Sequence, residues 1–242
     1  MKRLTTLIAA TSVSTAALAS AAFAEGRTET LSSNSLITIA LVDAHHEHRN
    51  VFMDELFPSV LPAIEEVGGR LVATFETIDV EEGDYTPQHI MLLEWPSVEA
   101  FETAANDPRN LAVLDRRAEA MRDFTIGFFT IPEDVTLTLE DDVVYEFFAG
   151  IPAGPDTPNQ LQTFFQNVIP TALEYGRADA MLMQPVENER NGYFRPIAGL
   201  ATWPSAAHFE QFTETTVFRE NIEAYRNPAF AELELINTYF VE

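Results

Sequence analysis

Apolar positions along the chain follow two rhythms. Leu36–Ala44 is an apolar, β-branched run that predicts a strand. From about Asn50 to Val67, apolar residues recur at helical spacing (Phe52, Leu56, Val60, Ile64) and stop at Gly68-Gly69, which predicts a helix. Leu71–Val80 and His89–Trp95 read as strands around the polar segment Glu81–Pro87. Ser97 stands where a helix N-cap belongs, and Asp107-Pro108 looks like a second cap with proline at the first helical position. Phe124–Ile131 is the closing strand. The order β-α-β-β-α-β implies a ferredoxin-like unit, an antiparallel sheet with both helices on one face.

The same succession then recurs. Pro132–Asp142, acidic and led by proline, reads as a linker. Strand Val143–Ile151, a helix from Pro158 to about Tyr175, strand Ala178–Val186, a turn at Asn191-Gly192, strand Pro196–Trp203, helices from Ser205 and strand Leu233–Val241 follow. Trp95-Pro96-Ser97 returns as Trp203-Pro204-Ser205, Phe101-Glu102 as Phe209-Glu210 and Leu61-Pro62 as Ile169-Pro170, all at one constant offset. Ile126–Ile131 returns as Ile236–Val241 at nearly the same offset. Such a period is one small domain long, beyond the range of solenoid repeats.

A sheet wetted on one face alternates apolar and polar residues. Ile37–Val42, Ile90–Leu93 and Val143–Phe148 are apolar at both parities, so both faces are expected to be covered. Helices cover one face, and the sister sheet is the simplest cover for the other. The expected fold is α+β: two tandem ferredoxin-like βαββαβ units packed sheet to sheet, an intrachain dimeric α/β barrel and pseudo-dimer that could associate further.

Composition adds a compartment. Met1-Lys2-Arg3, an apolar and small-residue run to Phe23 and the small-x-small ending Ala22-Phe23-Ala24 have the layout of a secretory signal peptide. The run is rich in Ser and Thr, weakly apolar for a spanning helix. The expected organisation is a signal peptide at 1–24, an N-terminal linker at 25–34, a first repeat at 35–131, a linker at 132–142 and a second repeat at 143–242. The protein is expected to be periplasmic or secreted, with no membrane anchor. There is no cysteine for a disulfide, a thiol nucleophile or a lipid anchor. The chain carries a formal charge of −24, and without residues 1–24 twelve basic residues face 38 acidic ones, a formal −26. That repels nucleic acid and anionic lipid faces, so no nucleic-acid partner is expected. Lys2 is the only lysine, and the acids are dispersed, as on a strongly hydrated surface suited to salt.

Gly68-Gly69, His89–Ser97 with its Glu94-Trp95-Pro96-Ser97 ending, and Asn106-Asp107-Pro108 resemble the dimeric α/β-barrel superfamily, most of all an uncharacterised small-domain family within it. The resemblance extends over both repeats. It implies the barrel fold and, among relatives, antibiotic-biosynthesis monooxygenases, haem-degrading monooxygenases, chlorite dismutase-like proteins and simple binding proteins. The catalytic Asn/Trp/His set of the haem degraders has no residue-by-residue match here, and Thr202 stands where the first repeat has Glu94.

Candidate chemistry is sparse. There is no G-x-S-x-G elbow, P-loop or dinucleotide glycine fingerprint. His45, His46 and His48 leave the first strand and His89 opens the third. In a ferredoxin-like sheet those strand ends are neighbours, so the four histidines are expected on one rim with Asp43 and Glu47. They are candidates for a divalent metal site or for acid/base work; the alternative is a polar loop of solvated imidazoles. Gly150–Ala153 and Ile197 hold the equivalent places in the second repeat. Trp95, Trp203, Phe129, Phe147, Tyr145 and Tyr239 are candidates to line a ligand pocket, with core packing as the alternative. Arg116, Arg117 and Arg122 could hold a carboxylate ligand or merely offset neighbouring acids. The leading expectation is a small-molecule binding protein. The alternatives are a monooxygenase or haem-handling enzyme, and a metal-dependent activity at the histidines.

Overall fold

The computed structural model describes residues 26–241; the expected signal peptide lies outside them. Ten strands and eight α-helical segments are arranged as one closed antiparallel barrel, a covering layer of helices and a separate two-stranded ribbon. The strands are β1 (Arg27–Leu31), β2 (Leu36–Ala44), β3 (Arg70–Glu82), β4 (His89–Trp95), β5 (Met121–Thr130), β6 (Val135–Leu139), β7 (Val144–Pro152), β8 (Ala178–Pro185), β9 (Ile197–Trp203) and β10 (Phe230–Val241). The helices are α1 (Phe57–Glu66), α2 (Val98–Ala105), α3 (Pro108–Ala112), α4 (Leu114–Ala120), α5 (Thr157–Glu174), α6 (Ala206–Thr213), α7 (Thr216–Asn221) and α8 (Asn227–Ala229).

Eight strands close the barrel in the order β10-β3-β4-β2-β5-β8-β9-β7, and β7 pairs back to β10. Strands β2 to β5 form one contiguous arc and β7 to β10 the other. The two seams differ. β3 and β10 pair from Glu82↔Leu235 to Thr74↔Val241, whereas β5 and β8 share only Phe129↔Pro185 and Thr130↔Gln184.

Side chains alternate across each strand. Ile37, Ile39 and Leu41 point into the barrel, while Leu36, Ala40 and Val42 lie under the helices. This accounts for strands that are apolar at both parities. It also separates adjacent aromatics. Phe129, Phe147 and Tyr145 face the interior, but Phe128, Phe148 and Tyr239 face the helices. The interior is filled; the void among Ile39, Phe75, Ile90, Phe147 and Met181 is only about 10 Å³.

Both barrel ends are plugged. The segments expected as linkers, 25–34 and 132–142, contribute β1 and β6, which pair antiparallel from Arg27↔Leu139 to Leu31↔Val135. Leu31, Leu137 and Leu139 join the interior cluster beside Ile131. The Tyr145 hydroxyl donates to the Thr138 carbonyl (2.9 Å) and accepts from the Glu140 amide (2.8 Å), anchoring the ribbon. At the other end, the loop before β9 sends Tyr193 into the interior, edge to face with Tyr85 at 5.3 Å. The Tyr193 hydroxyl donates to the buried Glu234 carboxylate, which Arg195 grips with Nε at 2.9 Å and a terminal nitrogen at 2.7 Å. Burial, and then the Glu234 charge, push the Tyr193 hydroxyl pKa far up, so it stays a donor.

Local signals set the helix ends. Ser97 Oγ accepts from the Ala100 amide (3.2 Å), and Asp107 Oδ1 from the Arg109 amide (2.8 Å), the two expected caps. After α1 the chain turns at Gly68, with φ at +80°; after α5 it turns at Gly176, with φ at +83°. Both are left-handed helix stops. An added side chain would also meet Pro96 or Pro204 respectively.

Candidate functional site

Two cavities lie between the helices and the outer face of the barrel, one in each half. The first, about 310 Å³, is walled by Phe52, Phe57 and Ile64 from the α1 region, Phe101 and Ala105 from α2, and Trp95 and Met91 from β4. The second, about 210 Å³, lies against Trp203 and Phe148 beneath Phe164, Phe209, Phe212 and Phe218. Apolar clefts of this kind with a few polar groups are the usual form of small-molecule sites.

Trp95 and Trp203 hold matching places. Each ring sits edge-on to a phenylalanine of the following helix, Phe101 at 5.1 Å and Phe209 at 5.4 Å. Their indole N–H groups end differently. Trp95 Nε1 donates to Thr38 Oγ1 (2.9 Å), and Trp203 Nε1 donates to Glu146 Oε2 (2.6 Å).

Charged residues distinguish the cavities further. Arg117, on α4, lines the first cavity with its guanidinium carbon 4.6 Å from the Phe124 ring centre. Among the described residues its guanidinium has no hydrogen-bond or ion-pair partner, and burial pushes its pKa down. The loop before β9, from the other half, brings Arg190 to the same cavity. Arg190 pairs with Glu102 (2.9 Å) and donates to Asn106 (3.0 Å). In the second cavity the visiting strand is β3, which brings Glu81 and Glu82; Glu82 pairs with the buried Arg226. Burial, then Asp79, raises the Glu81 carboxyl pKa.

Of the expected pocket residues, Trp95 and Trp203 line cavities, whereas Phe129, Phe147 and Tyr145 are packed inside the full barrel. Tyr239 packs against the helix-side cluster of the second half. Phe52, Phe101 and Arg190 were missed as lining residues. The helical spacing placed Phe52 on a buried face, but nothing local says that the loop carrying Arg190 returns to Asn106.

The histidines do not converge as expected. His89 pairs across to Val42 and Glu76, but β2 gives way to a 3₁₀ turn at His46–His48 that carries His45 and His46 into solvent. Asp43 is gripped by Arg122 at 2.6 and 2.7 Å. The cleft at this rim is lined by Asp43, Asp84, Tyr85, Arg122 and Asp123, without a histidine. Among the described residues, no group of three or more His, Cys, Asp or Glu could hold a metal ion. Haem fits no better: neither helix-side cavity is lined by a histidine, cysteine or tyrosine to serve as an axial ligand. His89 is half-buried, its Nδ1 buried without a hydrogen-bond partner, and desolvation depresses its pKa. Among the described residues no helix is long and apolar enough to cross a membrane.

Solved structures share the fold at low identity. An anthrone oxidase-like protein aligns at TM-score 0.58 and 9% identity over 88% of this chain and 95% of its own. A protein of Fusobacterium nucleatum, provisionally named a monooxygenase, aligns at TM-score 0.52 and 7% identity over 86% and 93%. A haem-binding protein from Thermus thermophilus aligns at only 0.45 and 12% identity, over 90% and 95%. The first two likenesses establish a dimeric α/β-barrel-like fold and no reaction. No curated protein matches the sequence significantly. Residues 45–126, about a third of the chain and all within the arc from β2 to β5, match the family described as a domain of unknown function, DUF1330.

Proposed function

We propose that the protein binds a small, mainly apolar molecule in the first cavity, on a scaffold of two ferredoxin-like units joined as an intrachain pseudo-dimer and exported after cleavage at Ala24. The observation carrying this reading is the cavity of about 310 Å³ walled by aromatic and aliphatic side chains, next to a barrel interior that is full. Support for the paired units comes from the same strand order in both arcs (fourth, first, third, second) and from features matched at one sequence offset: Gly68 and Gly176, Trp95 and Trp203. Support for export remains the basic-apolar-small layout of residues 1–24. A monooxygenase or haem-handling role has only the shared fold behind it, and the histidine-metal role has no ligand cluster among the described residues.

Native mass spectrometry of protein taken from its own cell envelope tests the reading. A copurifying small molecule is expected, and it should vanish when Ala105→Trp fills the cavity. Bare protein, together with no thermal shift from any of a panel of apolar probes, would overturn it.

A further inference from the structure

Arg117 and Arg226 occupy matching places in the two halves of the chain. Arg117 stands three positions before Ala120 and Arg226 three before Ala229. Both alanines end a helix and are fully buried. Each accepts a backbone hydrogen bond from the residue that follows the first barrel strand of its half: His45 to Ala120 at 3.0 Å, Ala153 to Ala229 at 2.9 Å. Both guanidinium groups lie over a phenylalanine, Phe124 at 4.6 Å and Phe218 at 5.8 Å.

Their partners differ. Arg226 holds the carboxylate of Glu82, which arrives from the opposite half on β3. At the offset that carries Trp95 onto Trp203, the counterpart of Glu82 is Arg190, and it reaches the first cavity in its turn. A cation thus stands where the other cavity receives an anion. Arg190 is itself held by Glu102 of the first half, whereas Arg117 receives no carboxylate from the second. The chain has 38 acids, and Arg27, Arg49, Arg70, Arg109, Arg116 and Arg122 each hold a carboxylate. Arg117 stands apart from them in an apolar cavity, where an uncompensated charge is costly. Phe124 offers it a ring and no acceptor, so its N–H donors, the groups that grip a carboxylate, are left to a ligand.

We propose that the first cavity takes an amphiphilic carboxylate, its apolar body against Trp95 and Phe101 and its carboxylate on Arg117. The second cavity supplies that carboxylate from within, through Glu82, and so has no need of an acid. This assignment rests on the small-molecule reading above and adds the chemical class of ligand.

Calorimetric titration of the full chain with decanoate and with decanol, at about pH 8 where the acid is ionised, tests it. Decanoate should bind about ten-fold or more tightly than decanol. Arg117→Gln should bring the two within about two-fold by weakening the acid alone. Arg190→Glu, an exposed change, should also reduce the preference by giving Arg117 an internal carboxylate like that of Arg226. Equal binding of acid and alcohol to the unaltered protein, or a preference that survives Arg117→Gln, would overturn the proposal and leave the apolar cavity standing. Binding of neither would overturn both.

Discussion

Beneath its tryptophan the first cavity has Thr38, and beneath the matching tryptophan of the other half the second has Glu146. Around each stand the same helix stop, the same edge-on phenylalanine and the same arginine over a phenylalanine ring. The charges near the two cavities differ, and they differ in a consistent direction. Acids gather at the second cavity, where Glu82 meets Arg226; at the first, an arginine stands without one. Such a contrast separates scaffold from chemistry. Features shared by the halves close helices and seat the sheet, while features that differ decide what a cavity can hold.

The largest effect should come from the plug that only the second half possesses. Tyr193 is fully buried and tied to Glu234, whereas its counterpart Tyr85 is half-buried and keeps mainly its ring contacts. Glu234→Ala takes from Arg195 its buried partner, leaves it only the exposed Glu232 at 3.2 Å, and should cost on the order of 3 kcal/mol in chemical denaturation. Tyr85→Phe should leave the midpoint nearly unchanged; equal losses in the two variants would erase this distinction.

A smaller difference should separate the tryptophans. Trp203→Phe gives up a hydrogen bond to a carboxylate, worth about 1.5–3 kcal/mol, and Trp95→Phe one to a hydroxyl, worth about 0.5–1.5 kcal/mol. The same denaturation experiment checks the order, and a larger loss at Trp95 would contradict it.

The smallest effect is one of pH. Desolvation holds His89 neutral, so its folded pKa lies below the unfolded value of about 6.5. The unfolded chain therefore binds the proton first, and stability falls as pH drops from about 6.5 toward the folded pKa. Ile197 fills the matching place in the second half. His89→Ile should raise the melting temperature below about pH 6, flatten its slope there and change it little above about pH 7.5. Parallel profiles for the two proteins would show that burial does not govern this histidine.

The closed barrel was legible in strands apolar at both parities, because a strand covered on each face needs no polar side. Ser97 and Asp107 announced their caps for an equally local reason, a short side chain reaching amides two or three positions away. Loop destinations were not legible. Nothing around Tyr193 says that it enters the barrel, since its partner Glu234 lies far along the chain on β10. The segments taken as linkers are strands because β1 and β6 complete each other, though neither has an apolar run of its own. Phe129, expected against a ligand pocket, faces the filled barrel instead, and its neighbour Phe128 faces the helices, because neighbours on a strand point to opposite sides. The histidine rim failed where β2 ended in a tight turn instead of continuing beside β4. Arg117 was visible as a cation, but its isolation depends on Arg190, which arrives from the other half.

The chain has two tryptophans, one against each cavity, which turns the central contrast into a spectroscopic one. Decanoate titrated into the Trp203→Phe variant should shift or quench the emission of Trp95, and the same titration of Trp95→Phe should leave Trp203 unchanged. Emission changes at both tryptophans, or at Trp203 alone, would contradict a ligand site confined to the first cavity.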